Sequence, residues 1–414
     1  MKKLLLLLLF VALCVVFIVV KTEERGVVFV SPLKYHISDD STAEVIQDDS
    51  YEDLKSVTIP SEIRTEEGVY LVTSISKSAF PDCRELTNIE LPSSVTNIGE
   101  NAFGKCSALT NINVASDNSV FSSEKGMLYD KNKTKLICVP RGKKGSIEIP
   151  LDVTSIGEYA FFCCDELISI EIPSRVTSIE NFAFDGCRGL TNIKIPSSLT
   201  SIGNYAFMGC SGLTHIEIPS SVTHIGNYAF YGCSGLTSIE IPSNVTSIGR
   251  KVFDCCSELT SINVAYDNSI YTSEDGVLYD KNKTEIIRTP EKKKENFKLP
   301  SSVTSIGSSA FRGCRALTNI DLPSGVTSIG QSAFMGCSGL TSIEIPSRVT
   351  DIYVYAFRGC SGLTHIVIPS SVTSIGYEAF YLCENLDVVI DNSKENVTVY
   401  EDAFDGCKSV KYLK

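Results

Sequence analysis

Tryptophan is absent from the 414 residues, and only four histidines are present: His36, His215, His224 and His365. So few imidazoles leave little material for acid–base catalysis or for zinc sites. The chain also contains no G-x-S-x-G, H-E-x-x-H or P-loop pattern, which mark common hydrolases, zinc proteases and nucleotide-binding proteins. These absences predict a protein that is not an enzyme and has no catalytic residues, no metal ligands and no cofactor.

A surplus of basic charge is also missing. The chain has 37 Lys+Arg against 49 Asp+Glu, which makes the formal net charge -12. Because nucleic-acid binding requires a positively charged footprint for phosphates, we expect no nucleic-acid partner. Hydrophobic residues make up 43% and charged residues 21%, and this balance indicates a folded chain rather than a disordered one.

The first residues form a hydrophobic segment. Lys2 and Lys3 precede an apolar run over residues 4–20, which is short for a membrane span and slightly long for a signal-peptide core. Three alternatives remain: an uncleaved signal-anchor, a cleaved signal peptide, or a lipid anchor at Cys14. Each predicts that the chain after about residue 26 is extracytoplasmic, either anchored at the cell surface through this segment or secreted.

One sequence unit recurs along the rest of the chain, and a clear copy at 222–242 reads VTHIGNYAFYGCSGLTSIEIP. Each copy has an anchor phenylalanine, usually preceded by alanine and followed three residues later by cysteine. Most anchors are 23 residues apart, and two gaps are longer by 35 residues. The anchors are Phe80, Phe103, Phe161, Phe184, Phe207, Phe230, Phe253, Phe311, Phe334, Phe357, Phe380 and Phe404. A fixed period of about 20–29 residues with Leu or Ile at fixed offsets is typical of a leucine-rich solenoid.

The pattern within one unit predicts which side chains are buried. Ile239 and Ile241 are two residues apart, so they lie on one face of a strand, and Glu240 must face solvent. Pro242 ends the strand because it has no N–H for pairing. A single coil cannot bury these groups, so we expect coils to stack with parallel strands ~4.8 Å apart.

The same pattern predicts the domain organisation. Residues 1–25 form the hydrophobic signal or signal-anchor, 26–76 an N-terminal cap, and 77–414 the solenoid, with a terminal cap over about 386–414. A solenoid needs such caps because its end coils expose apolar faces.

Two insertions lengthen the repeat, over about 115–145 and 265–295. Residues 111–140 and 261–290 match at 19 of 30 positions, and this offset of 150 residues indicates a duplicated block. Each insertion has two apolar segments separated by Asp-Lys-Asn-Lys-Thr, which predicts a projecting hairpin.

Twelve of the 16 cysteines lie three residues after an anchor phenylalanine. A metal or redox site is one interpretation, and a column of buried thiols is the other. Metal sites favour clustered spacings such as C-x2-C, which are missing here, and side chains stacked in parallel suit the torsion of a disulfide badly. The sequence therefore favours a column of buried thiols.

The pattern VTSIGxxAFxGCxxLTxIxIP resembles the BspA-like subclass of leucine-rich repeats over about residues 27–414, and GVLYDKNKTEII at 276–287 is part of the resemblance. It implies a β-rich leucine-rich-repeat solenoid with parallel stacked strands, short turns and two irregular hairpin-bearing insertions. It also implies a cell-surface or secreted protein that binds host or microbial macromolecules. The family has no shared catalytic residues to transfer.

Charged and polar side chains at the outward strand positions form a predicted partner-binding face. Its members are Glu171, Lys194, His215, Glu217, Glu240, Asp321, Glu344 and His365. We expect this face to mediate adhesion to proteins or glycans on host or neighbouring cells. Two alternatives remain: a structural surface spacer without a ligand, and a hydrolase that uses paired carboxylates such as Glu217 and Glu240.

Overall fold

The computed structural model describes residues 19–21, 26–293 and 297–413. Residues 1–18 and 22–25, which hold most of the predicted signal or signal-anchor, lie outside the described residues. The chain divides into two compact units, Met1–Lys143 and Lys144–Lys414. Within the described ranges, no helix has the length and hydrophobicity needed to cross a bilayer.

The first unit consists of strands and one short 3-10 helix, Asp49–Asp53. Its strands are β1 (Val19–Lys21), β2 (Val27–Val30), β3 (Leu33–Ile37), β4 (Thr42–Val45), β5 (Ser56–Thr58), β6 (Glu62–Arg64), β7 (Val69–Ile75), β8 (Asn88–Leu91), β9 (Asn97–Ile98), β10 (Asn111–Val114), β11 (Phe121–Glu124), β12 (Met127–Asp130) and β13 (Lys135–Cys138). Strands β1 to β4 pair as an antiparallel meander, and the β3–β4 turn contains Asp39 and Asp40. The regular coils begin with the parallel pairs β5–β8 and β8–β10.

Tyr51 covers the first anchor phenylalanine of this unit. It lies on the 3-10 helix, is fully buried, and its ring centroid is 5.5 Å from that of Phe80. Its hydroxyl donates a hydrogen bond to the carbonyl of Ile46 at 3.0 Å and accepts one from the N–H of Lys34 at 2.6 Å. The residue thus supplies an apolar ring to the core while its polar end is satisfied.

The second unit has two sets of short parallel strands and one 3-10 helix, Lys394–Asn396. Its strands are β14 (Gly145–Ile147), β15 (Ser155–Ile156), β16 (Leu167–Glu171), β17 (Ser178–Ile179), β18 (Asn192–Lys194), β19 (Ser201–Ile202), β20 (His224–Ile225), β21 (Ser238–Ile241), β22 (Ser247–Ile248), β23 (Ser261–Val264), β24 (Tyr271–Glu274), β25 (Val277–Asp280), β26 (Glu285–Arg288), β27 (Ser305–Ile306), β28 (Asn319–Ile320), β29 (Ser328–Ile329), β30 (Ser342–Ile343), β31 (Asp351–Ile352), β32 (His365–Ile368), β33 (Ser374–Ile375), β34 (Asp387–Ile390), β35 (Thr398–Val399) and β36 (Ser409–Tyr412).

Equivalent residues of successive coils pair in register, which confirms the predicted solenoid of parallel stacked strands. The first set includes β14, β16 and β18, and in it Ser169 of β16 pairs with Asn192 of β18. The second set includes β15, β17, β19, β20 and β22, and in it Ile179 of β17 pairs with Ile202 of β19. Ile239 and Ile241 are buried as predicted, while Glu240 is exposed.

A third side of each coil surrounds the anchor phenylalanine, and its backbone was not predicted. The residue two before the anchor has a left-handed conformation, for example Tyr205 with φ 58° and Ser332 with φ 57°. The N–H groups of Tyr205, Phe207 and Gly209 each donate to a carbonyl of the next coil at 2.8 Å. A non-glycine residue in this conformation costs of order 1 kcal/mol, which these hydrogen bonds and the stacking of the Tyr205 and Tyr228 rings, with centroids 4.8 Å apart, offset.

The glycine four before the anchor has a different role. Gly203 is outside the left-handed region. A Cβ at this position would nevertheless lie 2.6 Å from the carbonyl carbon of Glu180 in the preceding coil. The glycine therefore permits close approach of two coils rather than an unusual backbone angle.

The anchor phenylalanines and the cysteines form adjoining buried columns. In the second unit, the rings of Phe207 and Phe230 are parallel within 2° with centroids 5.4 Å apart. The Sγ of Cys210 donates to the carbonyl of Phe184 in the preceding coil at 3.1 Å, and Cys233 makes the same contact with Phe207 at 3.1 Å. The fifteen cysteines that the structure describes are free. A buried thiol is favoured at this position because it is small and still supplies a weak donor.

The insertions contain the predicted hairpins. Strands β12 and β13 pair antiparallel in the first, and β25 and β26 in the second. Asp280 organises the second turn, since it accepts hydrogen bonds from the backbone N–H groups of Thr284 at 2.6 Å and Glu285 at 2.7 Å. Each hairpin also has a third strand that was not predicted, because β11 pairs with β12 and β24 with β25.

Candidate binding surface

The eight residues of the predicted partner-binding face share one property in the structure, since all of their side chains are exposed to solvent. They are Glu171, Lys194, His215, Glu217, Glu240, Asp321, Glu344 and His365. All eight lie in the second unit. Five are acidic and one is a lysine, so the face is negative when its histidines are neutral.

Register brings Glu171 and Lys194 together. They are directly paired on the parallel strands β16 and β18, and the Nζ of Lys194 is 2.6 Å from the Oε1 of Glu171. The two side chains are 74% and 70% exposed. A pair so accessible to water is worth at most ~1 kcal/mol, so it orients the two groups more than it stabilises the fold.

A second polar patch surrounds His365 and was only partly predicted. His365 of β32 is paired with Asp387 of β34, which is paired with Ser409 of β36. Asp387 accepts hydrogen bonds from the Nζ of Lys408 at 2.7 Å and from the hydroxyl of Ser409 at 2.6 Å. These two contacts, with a smaller contribution from His365, lower the pKa of the Asp387 carboxyl. The patch therefore holds an ionised carboxylate in a fixed position beside a histidine.

The other members of the face are arranged less regularly. His215 and Glu217 lie within 213–219, a stretch without an assigned strand between β18 and β21. Asp321 and Glu344 directly follow Ile320 and Ile343, which are paired in register. The face therefore contains the Glu171–Lys194 pair and carboxylates on neighbouring coils. Its residue His365 also borders the polar patch around Asp387.

A buried charged cluster in the second unit was missed by the sequence analysis. Arg288 and Asp254 are 4% and 0% exposed. The Nη1 of Arg288 is 3.1 Å from Asp254 Oδ1, its Nη2 is 2.7 Å from Glu291 Oε1, and the Nη1 of Arg312 is 3.0 Å from Asp254 Oδ2. The cluster has two positive and two negative groups, so it is neutral. This neutrality is what permits charged side chains to be buried there.

The internal duplication contained a signal for this cluster. The four charged residues are Asp254, Arg288, Glu291 and Arg312, and the residues 150 positions earlier are Gly104, Cys138, Arg141 and Phe162. Only one of these four earlier residues is charged. The ionic cluster is therefore present in the second copy of the block and cannot form in the first.

A comparison with protein-family models matches most of the chain. The model described as "BspA type Leucine rich repeat region (6 copies)" matches residues 49–144, 142–260 and 290–411. A search of the curated proteins found no match.

Solved structures of bacterial leucine-rich repeat proteins are similar to the chain. A leucine rich cell surface protein from Faecalibacterium prausnitzii A2-165 is 30% identical, with a TM-score of 0.63, over 95% of this chain and 96% of that one. A leucine-rich repeat protein from Bacteroides ovatus ATCC 8483 is 27% identical, with a TM-score of 0.40, over 96% and 98% of the two chains. The pneumococcal vaccine antigen PcpA is 18% identical, with a TM-score of 0.47, over 96% and 99%.

Proposed function

The chain belongs to the BspA-type leucine-rich repeat family, and we propose that it is a non-enzymatic, extracytoplasmic binding scaffold that adheres to a protein or glycan through its partner-binding face. Adhesion to a specific ligand on host or neighbouring cells is the finer part of this proposal. The N-terminal hydrophobic segment would serve as signal peptide or membrane anchor.

The exposed partner-binding face is the observation that carries the proposal. Four of its side chains lie on short strands that are paired with a neighbouring coil, namely Glu171, Lys194, Glu240 and His365. Such a face is preorganised, so little backbone entropy is lost when a ligand binds. The acidic character of the face fits a ligand with basic or hydrogen-bond-donating groups.

The same exposure supports binding rather than catalysis. Paired carboxylates act as a hydrolytic dyad when a cleft shields them from water and separates their pKa values. Glu217 and Glu240 are both exposed. Location outside the cytoplasm is supported by the likeness to the Faecalibacterium protein, whose name is leucine rich cell surface protein.

The test is saturable binding of the purified chain to extracellular-matrix proteins, mucin glycans and intact bacterial cells. A double variant, Glu217→Lys with Glu240→Lys, reverses two charges on the face. We expect at least a ~10-fold loss of affinity, since like charges introduced at an interface cost several kcal/mol. The matched control is Asp267→Lys with Glu384→Lys, which makes the same charge change at two exposed residues of the same unit outside the face.

The control is expected to bind as the unmodified chain does. Equal loss in both double variants would indicate non-specific attraction and would contradict a defined face. Absence of saturable binding to every probe would favour the alternative of a structural spacer.

A further inference from the structure

A row of aromatic rings lies on the third side of the coils in the second unit. Its members occupy the position two before the anchor phenylalanine in four successive coils, and we call them the aromatic row: Tyr159, Phe182, Tyr205 and Tyr228. Their rings stack on one another with centroids 4.6 to 4.8 Å apart. All four residues are half-buried, so part of each side chain is accessible to solvent.

The backbone at this position does not require an aromatic residue. Each member of the row is left-handed, with φ between 55° and 58°, and bulky side chains are uncommon in that conformation. In other coils the same position is left-handed and is occupied by a small or polar residue, for example Asn101, Ser309 and Ser332. The rings therefore serve a purpose other than the turn, and their accessible parts are available to a partner.

A carboxylate without a counter-ion lies beside the aromatic row. Asp185 directly follows the anchor Phe184, is half-buried, and its backbone N–H donates to the carbonyl of Phe182 at 3.1 Å. The equivalent residues of the two adjoining coils are apolar, Phe162 and Met208. Among the residues that the structure describes, none pairs with the carboxylate, and burial alone raises the pKa of Asp185 to about 6. A carboxylate in such surroundings favours a cationic partner.

The same side of a later coil shows which cation fits these surroundings. Arg358 directly follows the anchor of its coil, as Asp185 does. Its guanidinium carbon is 5.3 Å from the ring centroid of Tyr355 and 5.1 Å from that of Tyr381. Its Nη1 is 3.2 Å from the Oε2 of Glu378. A guanidinium is therefore held there by aromatic rings and a carboxylate, a combination that suits its planar, weakly hydrated charge.

A second internal example involves the position of Asp185 itself. Asp254 also directly follows an anchor, and its carboxylate is paired with Arg288 at 3.1 Å and with Arg312 at 3.0 Å. The chain thus neutralises this aspartate with its own guanidinium groups. Asp185 has the carboxylate and the neighbouring rings, but the described part of the chain places no guanidinium on it.

We propose that Asp185 and the aromatic row form a docking site for an arginine side chain presented by a partner polypeptide. The Asp185 carboxylate accepts hydrogen bonds from the guanidinium, and the rings beside it pack against the bound group. The site lies on the third side of the coils, whereas the partner-binding face lies at the outward strand positions. It therefore does not rest on the proposed function, and either proposal can fail alone.

The experiment titrates the full chain with N-acetyl-arginine methylamide at pH 7.5 and follows the backbone amide signals around residue 185 by NMR. The citrulline and lysine derivatives are titrated separately. We expect saturation by the arginine derivative with a dissociation constant of about 1–10 mM, which is weak because one side chain binds alone. Citrulline has the same shape without the charge and should bind at least ~10-fold more weakly. Lysine should bind roughly three-fold more weakly, because its ammonium is compact and strongly hydrated.

Asp185→Asn removes the charge with little change of shape. We expect it to weaken binding of the arginine derivative at least ~10-fold, through loss of the charge-assisted hydrogen bonds. The same substitution is expected to raise stability at pH 7.5, because it removes a half-buried charge, so the loss of binding cannot come from unfolding. Asp405→Asn is the matched control, since Asp405 directly follows the anchor Phe404 but is exposed. It should leave the affinity unchanged.

Phe182→Ser tests the contribution of the aromatic row. Serine occupies the same left-handed position at Ser309 and Ser332, so the backbone accepts the substitution. Loss of the ring should weaken binding of the arginine derivative roughly three-fold.

Four results would overturn the proposal. The first is no saturation by the arginine derivative up to ~50 mM, well above the expected dissociation constant. The second is equal affinity for the arginine derivative and either of the other two. The third is an equal loss in Asp185→Asn and Asp405→Asn, which would indicate general attraction to an acidic chain. The fourth is a comparable loss in the double variant Glu217→Lys with Glu240→Lys, which would place the arginine on the partner-binding face.

Discussion

Replacing Phe230 with alanine removes one ring from the middle of the phenylalanine column. The side chain is fully buried, with neighbouring rings 5.4 Å away at Phe207 and 6.0 Å away at Phe253. A buried Phe-to-Ala change costs about 3–5 kcal/mol, and two aromatic neighbours place this one toward the upper end. Because each coil contacts only its neighbours, we expect the loss to appear first as local opening of coils next to residue 230.

Hydrogen–deuterium exchange measures this opening. The N–H of Phe230 donates to the carbonyl of Val252 at 3.1 Å, so its protection reports directly on stacking. A local loss of about 4 kcal/mol should reduce protection roughly 1,000-fold at this coil and far less in the coils around Phe357. Phe404→Ala is the control, because that ring is half-buried with one aromatic neighbour, Phe380, and should cost about 1–2 kcal/mol. Unchanged protection around residue 230 would refute the stacked-ring account of the core.

Three further predictions concern ionisable groups that are buried or half-buried. Burial raises the pKa of the Cys233 thiol to about 12. Alkylating reagents at pH 8 should therefore label this thiol only after the chain unfolds. Rapid labelling of the native chain would contradict its burial. Arg288→Ala should lower the free energy of unfolding of the second unit by about 3–5 kcal/mol, as measured by denaturant titration. Arg312→Ala should cost clearly less, because Asp254 keeps its ion pair with Arg288. Equal losses of stability in the two variants would argue against the cluster. Burial raises the pKa of Asp185 from 3.8 to about 6, so its contribution to stability is full below pH 3.8 and is lost as the pH rises to about 6. Asp185→Asn should therefore be more stable than the unmodified chain at pH 7.5 but not at pH 4, and an unchanged difference between the two pH values would contradict the shift.

The repeat and its buried positions could be predicted from the sequence because both follow from short-range spacing. Ile239 and Ile241 must share a strand face, and the 23-residue period places Phe207 on Phe230 once the coils stack. The hairpin of the second insertion was equally predictable, since apolar segments and the Asp-Lys-Asn-Lys-Thr turn are contiguous. Ile248 differs from the repeat rule, because it is only half-buried where the insertion removes the next coil.

The sequence by itself therefore determined the solenoid, its core and the exposed strand face of this protein, because each depends on spacing within one or two repeats. Tertiary structure alone decided the left-handed backbone at Tyr205, since hydrogen bonds to the next coil hold a residue that has no local preference for it. It also decided the buried charged cluster. Asp254, Arg288 and Arg312 are far apart in the chain and meet only because the second insertion folds back between coils, where burial forces their charges to pair.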